Sequence, residues 1–121
     1  NYWSDRHMEN CLFCKIIDKS IPSNIVYEND NVLAFNDINP EAPVHVLIIP
    51  KIHISTLNDL KKEHVGLLGE LVFTAGILAK KLGIDKDGYR TNFNCNDAGG
   101  QTVYHIHLHL LGGRCFSWPP G

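Results

Sequence analysis

The sequence predicts an α+β domain in which an antiparallel sheet packs against one long helix, with a short helix near the N-terminus. Strand-like apolar segments are joined mostly by short turns, which is the connection that antiparallel strands allow. One segment instead repeats its apolar residues at helical spacing over roughly twenty residues, which is typical of an amphipathic helix. The chain of 121 residues has the length of a single domain, and we assign that domain to residues 11–121.

The predicted elements begin with a short helix and a β-hairpin and continue with a hydrophobic strand, the long helix and two further strands. In that order they cover residues 11–18, 25–28 with 31–35, 44–49, 59–82, 89–94 and a last strand that starts at His105. Asp59 is the expected N-cap of the long helix, and Gly83 lies just past its end, where a terminating glycine belongs. His64, on the polar side of this helix, is expected to be solvated. The helix should bury one apolar stripe, made of Leu68, Leu71, Val72, Ala75, Leu78, Ala79 and Leu82.

Composition and charge exclude several classes of protein. The net charge of −2 gives no electrostatic footprint for polymeric nucleic acid or an anionic membrane. No apolar segment has the length of a membrane span, and no signal-peptide pattern opens the chain. Four cysteines without such a signal indicate a reducing compartment, so we expect a cytoplasmic location, or a nuclear one. Residues 1–10 are polar and aperiodic, and we interpret them as a disordered leader or a remnant of expression.

Histidine alternates with aliphatic residues in the last predicted strand, from His105 to Leu110. This period of two predicts that Ile106, Leu108 and Leu110 face the core and that three histidines share the opposite face. Imidazole titrates near neutral pH and serves as base, acid, nucleophile or metal ligand. The sequence therefore predicts a reactive site on this strand.

A polar loop precedes the histidines and contains Gly99, Gly100, Gln101 and Thr102, with Asn94 a little upstream. Paired glycines allow backbone N–H groups to approach a ligand closely, and the carboxamide and hydroxyl add neutral donors. Such a set suits phosphate oxygens. Taken alone, such a loop is more often an ordinary polar hairpin with satisfied backbone groups, but the neighbouring histidines favour the phosphate site.

Two metal sites have to be weighed. Cys11 and Cys14 have the spacing of adjacent zinc ligands, although two thiols on a short helix would look the same. A catalytic metal held by the histidine row is less favoured, because no Asp or Glu lies near the row in the sequence and the upstream loop fits phosphate better.

The histidine segment, His105-Ile106-His107-Leu108-His109-Leu110-Leu111, resembles the motif of the histidine triad (HIT) superfamily of nucleotide hydrolases and transferases. The resemblance spans about residues 11–121 and is strongest to the Hint branch, the purine nucleoside phosphoramidases once described as protein kinase C-interacting proteins. The further matching segments are 35–40, 42–45, 49–55, 99–104, Gly112-Gly113-Arg114 and Trp118-Pro119-Pro120-Gly121.

The resemblance implies a HIT fold and hydrolysis of P–N bonds in nucleoside 5′-phosphoramidates, such as AMP joined to an amine or to lysine. His107 would be the nucleophile and would form a covalent nucleotidyl-histidine. His45 would aid proton transfer to the leaving amine, and Asp37 would bind the ribose hydroxyls. Ile38 would contact the purine. The residues implied around the phosphate are Asn94, Gly100, Gln101, Thr102, His107 and His109, with threonine at 102 where the Hint pattern more often has serine.

The resemblance also bears on the metal. Related bacterial HIT proteins hold a structural zinc, and the corresponding residues here are Cys11, Cys14, His53 and His105. Many animal Hint proteins lack the cysteines. No catalytic cofactor is implied.

Two other functions remain open, and an assembly is expected. A dinucleoside polyphosphate hydrolase or nucleotidyltransferase would use the same triad, but the Trp-Pro-Pro-Gly ending disfavours it. A non-catalytic module that binds purine nucleotides would keep the fold, but His107 and Asp37 are both present.

Hint proteins are two-fold homodimers, so we expect the long helix and the exposed edge strand 89–94 to form an interface. That dimer would bring Trp118 near the partner's site.

Overall fold

The computed structural model describes residues 10–121, so the first nine residues of the predicted leader lie outside the described residues. Within residues 10–121, two α-helices and five strands follow one another. They are α1 (Leu12–Ile17), β1 (Ile25–Glu28), β2 (Val32–Asn36), β3 (Val44–Pro50), α2 (Val65–Lys81), β4 (Tyr89–Asn92) and β5 (Leu108–Gly112). Within this range neither helix has both the length and the hydropathy of a membrane span.

The five strands form one antiparallel sheet in the order β1-β2-β3-β5-β4. Helix α2 packs on one face through a core that includes Leu71, Leu78 and Ile48. Helix α1 covers the other face, where Phe13 packs against Phe35. Strand β3 lies in the middle and is buried from His45 to Pro50, which agrees with its unbroken hydrophobic sequence. The predicted α+β architecture is therefore confirmed.

The predicted N-terminus of the long helix is wrong. Thr56 and Asp59 form a capping box that closes a separate 3₁₀ turn, and Leu60 is extended with ψ of 141°, so the α-helix begins only at Val65. Asp59 is consequently not the N-cap of α2. His64 is also misassigned, because it is 6% exposed and its Nδ1 accepts a hydrogen bond from the Lys61 N–H at 2.9 Å.

The C-terminus of α2 is as predicted, with Gly83 at φ of +74° and the Ile84 N–H bonded to the Ala79 carbonyl at 3.0 Å, the geometry of a glycine-terminated helix. The buried stripe is only partly right. Leu71, Ala75, Leu78 and Ala79 are buried, but Val72 and Leu82 are 55% and 37% exposed. The sheet covers a narrower part of the helix than the apolar pattern implies.

The last strand begins at Leu108 and not at His105, because the preceding residues bend away from the ladder. The Ile106 N–H donates to the Ile54 carbonyl at 2.8 Å instead of to a strand neighbour. The predicted alternation of faces nevertheless holds. Ile106, Leu108 and Leu110 lie in the α2-side core, while His105 and His107 contact Phe13 on the α1 side.

Candidate active site and metal centre

Eight polar or ionisable side chains form two adjacent groups on the α1 side of the sheet and at its rim. We call Cys11, Cys14, His53 and His105 the thiol–histidine cluster. We call His107, His109, His45 and Asp37, with the cavity beside them, the histidine pocket. The segment 105–109 supplies residues to both, because it passes from one group to the next.

The thiol–histidine cluster has the dimensions of a tetrahedral metal site. Its four ligand atoms all lie within 4.8 Å of one another. The Nδ1 of His105 lies 3.4 Å from Cys11 Sγ and 3.6 Å from Cys14 Sγ, and His53 Nδ1 lies 3.5 Å from Cys14 Sγ. Two bonds of zinc length at a tetrahedral angle would place sulfur and nitrogen about 3.6 Å apart. The residues therefore fit a zinc ion.

The ring nitrogens of this cluster are also set for metal binding. His105 Nε2 lies 2.8 Å from the Pro50 carbonyl, which can only accept, so the proton is on Nε2 and the Nδ1 lone pair faces the sulfurs. His53 Nε2 contacts Ser55 Oγ at 3.1 Å. Burial lowers the pKa of His105 to about 4 and also lowers the pKa of His53. Both rings are neutral at neutral pH, as ligation requires.

Helix α1 positions the two thiols. Cys11 is its N-cap, and the Cys11 Sγ accepts the Cys14 N–H at 3.3 Å. One turn of helix therefore brings both sulfurs to the same end. Phe13, between them, points into the sheet and contacts His107 edge-on, with ring centroids 5.0 Å apart.

The histidine pocket is a cavity of about 620 Å³ with a polar end and an apolar wall. Five predicted site residues line it: Asp37, Ile38, Thr102, His107 and His109. The apolar wall includes Phe13 and Ile16 of α1 together with Leu47. A polar end beside an apolar slot suits a ligand with a phosphate and a flat base.

His107 presents an unprotonated nitrogen to this cavity. Its Nδ1 lies 2.8 Å from the His105 carbonyl, and because a carbonyl only accepts, Nδ1 carries the proton and Nε2 keeps its lone pair. Burial lowers the pKa of His107, so the ring is neutral at neutral pH. A neutral imidazole with one free lone pair is a nucleophile.

His109 presents the opposite kind of nitrogen. The Glu41 N–H donates to His45 Nδ1 at 3.0 Å, so His45 carries its proton on Nε2, which lies 2.9 Å from His109 Nδ1. His109 Nδ1 therefore accepts, and its proton is on Nε2. That buried Nε2 has no hydrogen-bond partner among residues 10–121. Burial, and then the neighbouring histidines, lower the pKa of His109 to about 4, so His109 is a neutral donor.

Asp37 joins this group in space. Its Oδ2 lies 3.4 Å from His45 Nε2, and its Oδ1 accepts the Asn39 N–H at 2.9 Å. No carboxylate lies near the histidine row in the sequence, and Asp37 reaches it because its N–H bonds the His45 carbonyl at 2.9 Å where β2 and β3 pair. Asp37, His45 and His109 thus form a second group with ligand atoms within 4.8 Å of one another.

The remaining predicted phosphate residues do not line the cavity. Gln101 is buried and its side chain is fully used, with Oε1 accepting the Asn96 N–H at 2.9 Å and Nε2 donating to the Ser55 carbonyl at 2.7 Å. The Asn94 side chain accepts from Asn92 at 3.1 Å. Gly100 ends the turn at φ of +82°, a conformation that glycine adopts without strain. Their roles toward phosphate remain predictions.

Two parts of the site were not found from the sequence. The first is the apolar wall that α1 contributes to the cavity. The sequence signal that could have predicted it is the aromatic residue Phe13 between the two cysteines. The second is the Glu41 N–H, a backbone group that no residue pattern identifies.

The chain is similar to known proteins along most of its length. Residues 10–115 match the family described as "Scavenger mRNA decapping enzyme C-term binding". The chain is 55% identical over 106 residues to a purine nucleoside phosphoramidase of Escherichia coli K12, covering 88% of this chain and 89% of that one.

A plant protein and a solved structure extend the comparison. The chain is 52% identical over 112 residues to a 14 kDa zinc-binding protein of Zea mays, covering 91% of this chain and 87% of that one. The crystal structure of a HIT family hydrolase from Legionella pneumophila superimposes with a TM-score of 0.91 at 55% identity, covering 93% of this chain and all of that one. The chain therefore belongs to the histidine triad superfamily and is of the Hint type.

Proposed function

We propose that this protein is a purine nucleoside phosphoramidase that hydrolyses the P–N bond of nucleoside 5′-phosphoramidates through a covalent nucleotidyl-His107. The observation that carries the proposal is the pairing of opposite nitrogens in one cavity. His107 offers a lone pair at Nε2, and His109 offers an unpartnered Nε2–H. Attack on a phosphoryl group needs a nucleophile and a donor for the oxygen that gains charge.

The reaction has two displacement steps. His107 Nε2 attacks the α-phosphorus, an N–P bond forms, and the bond to the amine breaks. The amine leaves with the electron pair and takes up a proton that His45 would help to deliver, and the water that attacks in the second step gives a proton back to the site. Water then attacks phosphorus and displaces the imidazole, which releases AMP or GMP and restores His107.

The other side chains bind and orient the nucleotide. The His109 N–H and the Thr102 hydroxyl would donate to phosphoryl oxygens, and Asn94, Gly100 and Gln101 would complete that end. Asp37 would accept from the ribose hydroxyls. Ile38, which is 91% exposed, would cover the purine from one side while the α1 wall covers the other.

A turnover assay distinguishes the proposal from its two rivals. We expect purified protein to release AMP from adenosine 5′-phosphoramidate much faster than from diadenosine polyphosphates. Mass spectrometry after rapid quenching should find AMP on a peptide that contains His107. Preferred turnover of diadenosine polyphosphates would instead indicate the dinucleotide hydrolase. AMP binding without turnover would indicate a non-catalytic module.

We further propose that the thiol–histidine cluster holds a structural zinc ion. The support is the donor set, the sulfur–nitrogen distances and the neutral rings described above, together with the name of the maize relative. The ion would link α1 to the segment that carries His107 and would take no part in the chemistry. Metal analysis of protein purified without chelator should find one zinc per chain, and a value far below one would contradict the site.

We also propose a two-fold homodimer. Strand β4 is an edge of the sheet, and α2 exposes Val65, Val72 and Phe73 at 68%, 55% and 70%. An open edge beside an apolar helix face favours pairing with a second copy. Trp118, at 82% exposed, would then lie near the partner's pocket. Sedimentation should show a dimer at micromolar concentration for the wild type and a monomer for Phe73→Glu, and a monomeric wild type would contradict the proposal.

The proposed reaction also determines which class of molecule the protein would bind. The substrate would be a purine nucleotide joined to an amine, and the place of action the cytoplasm or nucleus. No binding to nucleic-acid polymers or membranes is proposed.

A further inference from the structure

A side chain outside the pocket is connected to His109 through three hydrogen bonds. The Arg114 Nε–H donates to the Glu41 carbonyl at 3.0 Å. The N–H of the same residue, Glu41, donates to His45 Nδ1 at 3.0 Å. His45 Nε2 in turn contacts His109 Nδ1 at 2.9 Å. Glu41 is therefore held at its carbonyl and binds His45 with its N–H.

The segment after β5 is built to place Arg114 against this loop. Gly113 has φ of +89°, and a Cβ at that position would lie 2.8 Å from the Pro43 Cβ, so only glycine allows this close approach. The Arg114 guanidinium stacks 4.3 Å above the Phe116 ring. Both contacts restrict where the Arg114 Nε–H can point.

The orientation of the Glu41 N–H determines which ring nitrogens of His45 and His109 carry the protons. While that N–H donates, His45 Nδ1 must keep its lone pair, and the protons of both rings lie on Nε2. If the Glu41 backbone shifted and its N–H turned away, His45 could carry its proton on Nδ1. The pair would then reverse, and His109 would present a lone pair to the cavity, which repels a phosphoryl oxygen.

The same orientation acts against metal binding in the pocket. Asp37, His45 and His109 have the spacing of a metal site, and a metal there would need the Nε2 lone pair of His45. A neutral imidazole whose Nδ1 accepts a backbone N–H has its proton on Nε2 and has no lone pair to offer there. The Glu41 N–H thus keeps this group a hydrogen-bond chain beside a cluster suited to zinc.

We propose that Arg114 is a positioning residue that anchors the Glu41 backbone at its carbonyl, keeps the Glu41 N–H on His45 Nδ1, and so makes His109 a donor at Nε2. Its effect on turnover rests on the proposed function. Its effect on the histidine protons does not.

Nitrogen NMR tests the proposal directly, because long-range ¹H–¹⁵N spectra distinguish protonated from unprotonated ring nitrogens. In the wild type we expect His45 and His109 to be protonated at Nε2. In Arg114→Ala both rings should shift toward a mixture of the two forms, and Arg114→Lys, which retains one donor, should recover part of the wild-type pattern. The matched control is Arg90→Ala, because Arg90 stacks on the same Phe116 ring but bonds the Ser117 carbonyl. It should leave the pattern unchanged.

Two further measurements follow. With phosphoramidate substrate, kcat of Arg114→Ala should fall about tenfold, less than the roughly hundredfold loss on deleting such a donor outright, and the Kd for AMP should change less. Added Zn²⁺, titrated by calorimetry into protein whose thiol–histidine cluster is already filled, should bind at least about tenfold more tightly to Arg114→Ala than to the wild type, and AMP should compete with it.

Unchanged nitrogen shifts in Arg114→Ala, or a wild-type His45 protonated at Nδ1, would overturn the proposal. Equal zinc affinity of the two proteins would overturn it as well. If the wild type hydrolyses no phosphoramidate but the nitrogen shifts respond as expected, the proposed function fails while the role of Arg114 stands.

Discussion

The thiol–histidine cluster and the histidine pocket are built from the same kind of residue but are prepared for opposite tasks. In the cluster, the Nδ1 atoms of His53 and His105 converge with two sulfurs on a buried point, and the Nδ1 of His105 keeps its lone pair because its Nε2 bonds the Pro50 carbonyl. In the pocket, His107 and His109 line a cavity, and Nε2 keeps a lone pair in His107 but carries the proton in His109. For these three histidines the difference comes from what bonds the other ring nitrogen, since the partner there assigns the proton.

The largest effect is expected from a substitution that removes the proposed nucleophile from the histidine pocket. His107→Asn should reduce phosphoramidate turnover by roughly 10⁴-fold or more, since loss of a nucleophile removes the covalent path. Nucleotide binding and zinc content should persist. Steady-state kinetics with a metal assay checks this, and His64→Asn, a change at a buried histidine outside both groups, serves as the control. Near-normal turnover of His107→Asn would refute the assignment.

The next largest effect is expected from a substitution in the thiol–histidine cluster that leaves the pocket side chains unchanged. Cys14→Ser should abolish zinc binding and lower the melting temperature by roughly 10 °C, equivalent to about 3 kcal/mol for a chain of this size. Metal analysis and calorimetry measure both. Cys115→Ser is the matched control, because Cys115 is exposed. Equal melting temperatures of the two variants would show that the cluster has no structural role.

A smaller effect concerns pH. The folded-state pKa of His109 is about 4 and that of an unfolded histidine about 6.5, so between these values the unfolded chain binds more protons. The stabilising contribution of His109 should therefore be fully present above pH 6.5, and the free energy of unfolding should decrease as the pH is lowered toward 4. The contribution of His109 should be about 1–2 kcal/mol after allowance for screening by solvent. Urea unfolding across this range measures it, and His109→Gln should show a shallower slope. An identical slope would contradict the assignment.

The smallest effect tests whether the two sites communicate. Phe13 contacts both His105 and His107 and lines the cavity. Phe13→Leu should weaken nucleotide binding about three- to tenfold, the value of one aromatic contact, and leave zinc content unchanged. Leu12→Ala is a control on the same helix, since Leu12 is 45% exposed. Loss of zinc in Phe13→Leu would show that the sites are coupled more tightly than the contacts indicate.

The sequence predicted those features that a residue pattern determines. Alternation assigned Ile106 and His107 to opposite faces, and the CxxC spacing found half of the cluster. The start of α2 could not be predicted, because it depends on Leu60 being extended after a 3₁₀ turn and not on the apolar spacing. The burial of His64 follows from the same turn, whose Lys61 N–H fills its Nδ1.

For the site as well, the residues that the resemblance carried were predicted, and the features that depend on tertiary packing were not. Asp37 and Thr102 were expected at the cavity and lie there, because the resemblance carried them. The α1 wall depends on how a helix of six residues docks on the sheet, which local spacing does not determine. The inward turn of Gln101 depends on the Ser55 carbonyl, 46 positions away.

His105 serves both sites with different parts of itself, its ring toward the thiols and its carbonyl toward His107. A carbonyl is present whatever the side chain, so replacing the ring would remove a ligand of the proposed metal yet leave the proton of His107 on Nδ1. The proposed metal site and the proposed chemistry are therefore separable in evolution. A lineage could lose the metal by ordinary substitutions at Cys11, Cys14 and His53 and keep the proton arrangement of His107.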